Sequence, residues 1–456
     1  MRYNIFLVII LRNCLFMNNL LLLTLFSLVL WIIVLKKTRY EFFSSAAFTL
    51  VTVCVGVILL YFQSLLWNIS ISNETTYLIG VGLISLSVAE VLCFKQYSHK
   101  ISVKNNEVQY YNIKYCNYLL LFYIVATYLY AHEISKLGQM LGYNDLSAIG
   151  EVKANMEDLN AKMNPLIKQM YKVVTAASYI HSLIFANNVF LAKSHFKKEW
   201  RHLIPFLCTV VITLASGGRL NIFKAMVGLI LVSYLILRES SNWKKLYIQK
   251  MLRIGLPLGI GFVFLFSAVS LIVKNNASQR DKIETFEYIS YYAGSPIQVF
   301  NLKVEDGRHK WEYNRFGNYT FTGLYSMLGL GDDIKTEKIG SGMVYLGGNS
   351  NKSGNAQTVF GSAYLDFGPL GMAIFIFLSY FLFGRYYYKF IVCSYSSYTR
   401  NKRLLVYVYC YVSIIALAFY DNCYWILLSN TGIFTLLVLL IMYWFYFKKL
   451  LIKKNK

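Results

Sequence analysis

The first feature of this sequence that could do chemistry is an arginine at a tight glycine turn. Ser216-Gly-Gly-Arg219 joins two apolar runs, 203–216 and 220–237. Two glycines let the backbone approach a ligand closely, and a helix N-terminus combined with a guanidinium forms an anion site. Arg219 is therefore predicted to bind an anionic group, with Lys224 within a turn and a half of it. The alternative is an arginine that only anchors the chain to lipid phosphate.

A second group of candidate residues lies in the long polar segment from Lys274 to Phe367. Aromatic side chains recur in it, and these are the residue types that stack on sugar rings, although ordinary loop packing explains any one of them alone. The helical pattern in this segment is predicted to stop at Gly294-Ser-Pro296. Asp332-Asp333 has no further ligands in register, so no metal site is predicted. The aromatic candidates are Tyr291, Tyr292, Trp311, Tyr313 and Tyr319.

The elements that position these residues are predicted to be membrane-spanning helices. The chain is 57% hydrophobic and 15% charged. Apolar runs of about 18–22 residues recur throughout, the length that crosses a hydrocarbon core of roughly 30 Å, and a bilayer leaves the backbone no partner outside a helix. Residues 1–17 form either a short amphipathic lead or an additional crossing. The predicted spans are 18–35, 46–67, 77–94, 116–137, 171–192, 203–216, 220–237, 254–273, 369–384, 404–420 and 426–447.

The fold class that follows is an all-α polytopic membrane protein with about 11–12 transmembrane helices and a large extracytoplasmic loop between the eighth and ninth spans. Residues 1–273 are assigned to transmembrane helices with an external amphipathic segment near 138–170. Residues 274–367 are assigned to the extracytoplasmic loop, and 368–456 to the C-terminal helices and a basic cytoplasmic tail. The amphipathic segment is predicted from apolar residues at spacings of three and four, namely Val152, Met156, Leu159, Met163, Leu166 and Met170.

The net charge of +23 does not indicate a nucleic-acid partner, because the charge follows the predicted topology. Alternate connections between spans carry 26 basic residues and four acidic ones, whereas the opposite connections are balanced. This is the pattern of a cytoplasmic face rich in lysine and arginine. The segments 137–169 and 274–367 are therefore predicted to face outward, and the protein is predicted to be multi-pass.

Roles are predicted for two titratable residues that fall inside predicted spans. His181 lies near the middle of its span and is predicted to bond to a neighbouring helix, with a proton relay as the alternative. Glu90 lies one turn from Lys95 and is predicted to reach the headgroups from near the inner surface.

Three short motifs, together with the layout of spans and loop, resemble the Wzy-type O-antigen and capsule polymerases, also called oligosaccharide repeat unit polymerases. The motifs are Ser216-Gly-Gly-Arg219, Tyr291-Tyr-Ala-Gly-Ser-Pro296, and Asn355 through Tyr364-Leu-Asp-Phe-Gly-Pro-Leu-Gly371. The resemblance covers nearly the whole chain in architecture but only these three short motifs in sequence. Where the family usually has a threonine soon after Asn-X-Phe, this chain has Asn355-Ala-Gln-Thr358.

The resemblance implies glycosyl transfer at the outer face of a bacterial cytoplasmic membrane. A glycan on undecaprenyl pyrophosphate is transferred to the next lipid-linked repeat, without a metal, another cofactor or a nucleotide sugar. The implied partners are these lipid-linked oligosaccharides, membrane lipids and a polysaccharide chain-length regulator. Arginines stabilise the departing pyrophosphate, and a carboxylate or histidine takes the acceptor proton.

The resemblance then gives residue roles. Arg219, Arg280 and Arg315 are assigned to the leaving group. Asp366 is the base, with Asp281 and His309 as alternatives. The other reading of Asp366 is an N-cap for the helix after Pro369. The residues assigned to substrate binding are Arg315, His309, Tyr291, Tyr292, Ser295, Asn355 and Tyr364.

Two other functions share parts of this layout. An O-antigen ligase has a similar architecture but uses the lipid A core as acceptor. A lipid-linked oligosaccharide flippase has 10–14 spans, but it lacks a loop near ninety residues long and places charges within the spans. The long polar segment from Lys274 to Phe367 therefore favours an enzyme over a transporter.

Overall fold

The computed structural model is predominantly helical and describes residues 2–100, 109–140, 163–216, 219–241, 243, 285–307, 316–330, 344–348, 352–393 and 397–455. The helices, numbered α1 to α14 in chain order, are Arg2–Lys37, Ser45–Trp67, Asn73–Tyr97, Cys116–Met140, Pro165–Ala186, Phe196–Glu199, Ile204–Ala215, Arg219–Ser240, Thr285–Glu305, Thr322–Met327, Thr358–Tyr386, Ser397–Ile414, Tyr424–Leu427 and Asn430–Phe445. The strands β1 to β4 are Gln109–Ile113, Val344–Tyr345, Ser353–Gly354 and Leu451–Asn455.

Seven of the described helical stretches are long and apolar enough to cross a membrane, as the all-α polytopic prediction requires. Three predicted spans fall on helices that are not among these seven stretches: 116–137 on α4, 203–216 on α7 and 404–420 on α12. The predicted span 254–273 lies outside the described residues. The seven stretches are Asn19–Lys37, Ser45–Ser64, Asn73–Tyr97, Pro165–Leu191, Leu220–Ser240, Thr358–Val392 and Asn430–Leu450.

Residues 1–17 do not form a separate crossing, because α1 runs without a break from Arg2 to Lys37. The external amphipathic segment near 138–170 is described only at its two ends. Its last residues, from Pro165, begin α5 and continue into a helix of membrane-spanning length, so they do not belong to a helix lying in the interface. Asn164 caps α5, since its side chain accepts the N–H of Leu166 at 2.9 Å.

The chain forms two compact units, and the first comprises residues 1–100, 283–393 and 413–432. Within it α1 packs on α2, and α3 packs along α11. Helices α3 and α11 approach closely at Gly384 because glycine has no side chain. A Cβ atom there would lie 3.1 Å from the Cβ of Cys93. Helix α11 bends at Gly368, whose φ of 69° is unfavourable for other residues.

Glu90 does not reach the headgroups as predicted, because it is fully buried in the first unit. Its carboxylate accepts hydrogen bonds from the Ser45 hydroxyl at 2.6 Å, the Ala46 N–H at 3.3 Å and the Tyr388 hydroxyl at 2.7 Å. The first two donors lie at the N-terminus of α2, where the helix dipole favours negative charge. Glu90 therefore ties three elements together inside the protein.

Part of the segment predicted to be a loop is a packed helix. Helix α9 does not stop at Gly294-Ser-Pro296 but continues to Glu305. Ile297 and Phe300 are almost fully buried. The helix crosses α2 at two glycines, Gly56 of α2 and Gly294 of α9. A Cβ atom on Gly56 would lie 2.8 Å from the Ala293 carbonyl oxygen. Small residues at this crossing let the two backbones approach closely, as in membrane helix pairs.

The second unit comprises residues 101–282, 394–412 and 433–456, and the structure describes only parts of it. Helix α5 packs against α4, α7 and α8. Strands β1 and β4 pair antiparallel, with Tyr111 opposite Lys453. The Asn188 side chain donates to the Tyr111 carbonyl at 2.8 Å and accepts from its N–H at 2.9 Å, which fixes β1 against the end of the α5 stretch.

Candidate functional site

The structure describes some of the predicted site residues. Arg280, Arg315 and His309 lie outside the described residues, as does the alternative base Asp281. Arg219 is the first residue of α8, so the predicted helix N-terminus is present at that position. The roles assigned to these five residues stay predictions.

Asp366 is described, and it does not cap the helix after Pro369. Its Oδ1 accepts the N–H of Tyr319 at 2.9 Å and its Oδ2 accepts the N–H of Thr320 at 2.8 Å. The carboxylate therefore holds the turn that precedes α10 against α11. Each of its oxygens is engaged by one backbone donor, which suits an anchor, whereas its role as a base stays a prediction.

Of the predicted aromatic residues, Trp311 and Tyr313 lie outside the described residues, Tyr291, Tyr292 and Tyr319 are partly buried, and Tyr364 is buried. Tyr364 is fully buried, with its ring centroid 5.7 Å from that of Phe300, so it offers no face to a sugar in this structure. The Tyr291 ring lies edge-on to the Trp67 ring, with the two ring centroids 6.3 Å apart, and the Tyr291 hydroxyl donates to the Ser353 carbonyl.

The other described candidates for substrate binding differ in exposure. Tyr292 lies edge-on to Tyr291 at 5.3 Å, and Ser295 is buried. Asn355 is exposed and lies two residues before Gln357, the N-cap of α11. Of the substrate-binding candidates that the structure describes, Asn355 is thus the most accessible.

The first unit contains a different polar site, where two non-helical stretches meet. Helix α11 begins at Thr358, which has a φ of 62°, and the chain after α12 is non-helical until α13. The Thr358 N–H donates to the Tyr420 carbonyl at 2.9 Å, and the Val359 N–H donates to the Ala418 carbonyl at 2.8 Å. We call this meeting point, residues 357–362 with 418–422, the junction. Non-helical backbone among membrane helices is tolerated where protein satisfies it or where it lines a cavity.

Four side chains at the junction form a hydrogen-bonded row from a cation to a carboxylate. The Lys303 ammonium donates to Gln357 Oε1. Gln357 Nε2 donates to Ser362 Oγ at 2.8 Å, and Ser362 Oγ donates to Asp421 Oδ1 at 3.5 Å. Lys303, Gln357 and Ser362 are all buried, whereas Asp421 is only partly buried. The carboxylate is thus the member of the row that a ligand can reach.

The protonation of Asp421 is poised near neutral pH. Burial raises the pKa of its carboxyl group to about 6, while the Asn422 N–H and the Lys303 charge act in the opposite direction. The Asn422 N–H donates to Asp421 Oδ1 at 2.7 Å. A general base works best when its pKa lies close to the working pH. The raised pKa of Asp421 therefore lies in the range that suits a general base.

Asp366 and Asp421 are linked through one turn. Thr320, whose N–H binds Asp366, accepts a hydrogen bond at its hydroxyl from Asn422 Nδ2 at 3.2 Å. The Asn422 N–H in turn donates to the Asp421 carboxylate. The turn before α10 is therefore fixed between the two carboxylates.

The sequence analysis did not predict the junction as a site, although Gln357 and Ser362 lie within the motif from Asn355 to Gly371. Asp421 directly follows the predicted span 404–420, and an acidic residue at the end of an apolar run was a signal that could have drawn attention to it. Nothing in the sequence pointed to Lys303, which is brought to the junction only by the burial of α9. Among the described residues, no three histidine, cysteine, aspartate or glutamate side chains lie together as metal ligands.

The second unit holds a buried histidine pair, and the predicted hydrogen bonding of His181 to its neighbours is confirmed. His181 Nδ1 lies 3.1 Å from His202 Nδ1, and His181 Nε2 lies 3.1 Å from the Tyr446 hydroxyl. The Tyr446 and Tyr123 hydroxyls are also hydrogen-bonded, at 2.5 Å. Burial lowers the pKa of His202 to about 4, against the opposing effect of Glu199. His202 is therefore neutral at ordinary pH, and these hydrogen bonds link α5, α4 and the residues after α14.

Comparison of the chain with models of protein families, with curated proteins and with solved structures finds no match in any of the three.

Proposed function

We propose that this chain is a membrane glycosyltransferase that joins oligosaccharides carried on undecaprenyl pyrophosphate into a polysaccharide. The seven membrane-length helices suit a substrate with a lipid tail. The observation that carries the proposal is the Asp421 carboxylate, which is partly exposed at the junction and has a pKa raised to about 6. Polysaccharide synthesis of this kind takes place at the outer face of the bacterial cytoplasmic membrane.

The reaction needs one proton acceptor and one stabilised leaving group. The acceptor hydroxyl oxygen attacks the anomeric carbon of the donor glycan, and the bond from that carbon to the pyrophosphate oxygen breaks. The electron pair leaves with the pyrophosphate, and Asp421 takes the proton of the hydroxyl. Positive groups stabilise the charge that develops on the pyrophosphate, the role that the family resemblance implies for Arg219, Arg280 and Arg315.

The side chains around Asp421 support this role. Lys303 lies at the far end of the row through Gln357 and Ser362, so its charge favours the ionised carboxylate from a distance. Hydrogen bonds from the Asn422 N–H and the Trp425 side chain orient the carboxylate for a substrate that approaches its exposed side.

This proposal moves the base from Asp366 to Asp421. Both oxygens of Asp366 hold backbone N–H groups of one turn, so a substrate hydroxyl would compete with contacts that fix the fold. The backbone donor to Asp421 is its own neighbour Asn422, and the Asp421 pKa of about 6 lies near the pH at which a general base works.

A genetic experiment tests the proposal and separates it from its alternatives. In a strain that lacks this chain, a polymerase defect leaves single repeats on the lipid core. A ligase defect leaves no glycan attached, and a flippase defect prevents export of the repeat. We expect single repeats.

The variant Asp421→Asn tests the base in the same strain. It keeps the shape of the side chain and removes the proton acceptor, so we expect polymer formation to fall roughly 10²-fold or more with the protein still present in the membrane. A normal polymer ladder from Asp421→Asn would refute the proposed chemistry.

A further inference from the structure

An exposed tryptophan borders the Asp421 carboxylate. Trp425 is 41% exposed, and its indole N–H donates a hydrogen bond to the side chain of Asp421, four residues earlier in the chain. The indole nitrogen is a donor only, so this hydrogen bond occupies the single polar atom of the ring. The part of Trp425 that stays open beside the carboxylate is therefore apolar aromatic surface.

The backbone that carries Trp425 is held in place from two sides. A Cβ atom on Gly323 would lie 1.9 Å from the Trp425 carbonyl oxygen, so the first turn of α10 packs directly against α13. The Tyr424 ring lies edge-on to the Phe375 ring of α11, with the two ring centroids 5.4 Å apart. The indole therefore projects from a fixed backbone, and its hydrogen bond to Asp421 fixes its orientation.

Tyrosines add to the aromatic character of this site. Tyr420 precedes Asp421 in the chain and interacts with it electrostatically. The same phenol interacts with Tyr291 and Tyr292 of α9, and all three tyrosines are partly buried. A carboxylate among aromatic side chains suits a ligand that carries both hydroxyl groups and C–H surface.

A pyranose ring has this combination of surfaces. One of its faces presents C–H groups, whose partial positive charge is attracted by the negative face of an aromatic ring. Its hydroxyl groups lie around the rim of the ring, where a neighbouring carboxylate can accept a hydrogen bond from one of them. An exposed tryptophan beside a carboxylate therefore favours a sugar over a wholly apolar ligand such as a lipid tail.

The alternative role for an exposed tryptophan is to anchor the chain at the membrane surface. Tryptophans of that kind keep their ring at the headgroup level and leave the N–H to water and lipid. The Trp425 N–H instead donates to a carboxylate of the protein itself. This contact favours a ligand site over a membrane anchor.

We propose that Trp425 is a platform on which one sugar ring of an oligosaccharide stacks, with a hydroxyl group of that ring directed at Asp421. The identity of this ring as part of the acceptor rests on the proposed function. The stacking itself does not require Asp421 to act as a base. Trp425 thus binds the sugar and sets which hydroxyl group lies at the carboxylate.

Fluorine NMR of the purified full-length chain tests this platform without any turnover. All seven tryptophans are labelled as 5-fluorotryptophan, and the Trp425 resonance is the one that Trp425→Phe lacks. The probe is the oligosaccharide released from the cells' own surface polysaccharide by partial acid hydrolysis. We expect it to shift the Trp425 resonance and to leave unchanged the resonance of Trp444, an exposed tryptophan on α14 that Trp444→Phe assigns in the same way.

Substitutions separate stacking from hydrogen bonding. Trp425→Leu removes the aromatic face, and we expect the affinity for the oligosaccharide, measured by saturation-transfer NMR, to fall roughly tenfold. Trp425→Phe keeps an aromatic face and loses only the N–H, so it retains most of the affinity. Trp444→Leu is the matched control and has no effect. Where Trp425→Leu does not fold, the resonance shift in the wild-type chain carries the test.

A Trp425 resonance that the oligosaccharide does not shift overturns the inference, and so does wild-type affinity in Trp425→Leu. A shift produced by dihexanoyl phosphatidylglycerol and not by the oligosaccharide also overturns it, because that result indicates a membrane anchor. The proposed function fails by a different readout, a deletion strain that does not leave single repeats. Such a strain leaves a sugar-dependent shift at Trp425 intact, and single repeats without that shift refute the platform alone.

Discussion

Asp421 makes the proposed activity depend on pH through a single carboxyl group. Its folded pKa, about 6, lies above the ordinary value of 3.8. A base acts only when it is deprotonated, so we expect the rate to fall as the pH drops through about 6 and to be constant above it. The check is a pH–rate profile of polymer formation in membrane vesicles. A profile that stays flat well below that pKa would contradict the assignment.

Asp366 is expected to matter for stability more than for chemistry. Asp366→Ala removes two hydrogen bonds to backbone N–H groups, of Tyr319 and Thr320, and we expect a loss of about 2 kcal/mol in the free energy of unfolding. Asp366→Asn keeps one acceptor oxygen and should lose about half of that. Thermal unfolding of the purified protein measures both. If Asp366→Asn is stable but makes only single repeats, the base belongs at Asp366 instead.

At the scale of elements, the apolar runs predicted most helices because a membrane-spanning helix needs a continuous apolar stretch. Helix α9 could not be predicted over its full length in this way. One of its polar residues, Asn301, is buried and hydrogen-bonded inside the protein: it accepts the Ser72 N–H at 2.8 Å and donates to the Ser70 carbonyl at 3.1 Å. A hydropathy pattern counts such residues as exposed, and it contains no information about the partner that satisfies them.

The candidate site was predictable only in part for the same reason. Motifs near Arg219 and Asp366 were visible as short local patterns. The junction depends on contacts between residues far apart in sequence, Lys303, Gln357 and Asp421, which no local pattern joins.

The crossing of α2 and α9 is expected to tolerate no side chain at its glycines. A Cβ atom on Gly56 would meet the Ala293 carbonyl oxygen at 2.8 Å, and one on Gly294 would meet the Leu60 Cα at 3.0 Å. Because backbone cannot move aside, we expect Gly56→Ala and Gly294→Ala to destabilise the protein by about 1–3 kcal/mol. Thermal unfolding in detergent measures this.

Gly80→Ala is the matched control on α3, since the nearest atom to its Cβ position is a Phe26 ring carbon at 3.7 Å. It should be neutral or slightly stabilising, because alanine is the better helix former. Equal effects at Gly56 and Gly80 would show that helix propensity, and not the crossing, determines the result.

For the whole molecule, the distribution of charge predicts which way the chain faces. Basic residues concentrate in alternate connections, and translocation disfavours lysine and arginine. Reporter fusions are expected to place Ser194, Asn242 and Ser397 in the cytoplasm and Glu157 and Gly340 outside. Asn242, Glu157 and Gly340 lie outside the described residues, so fusions there test the charge pattern alone.

The second unit adds a structural constraint to that topology. Helices α5 and α8 run in the same direction, because Tyr130 contacts both Tyr171 near the start of α5 and Ser216 just before α8, and Tyr179 contacts Gly228 further along. Ser194 follows the α5 stretch and Asn242 follows α8, so fusions at these two positions must report the same side whatever the overall orientation. Opposite signals would contradict the parallel pair. Matching cytoplasmic signals, with Gly340 also cytoplasmic, would keep the pair but overturn the outward-facing loop.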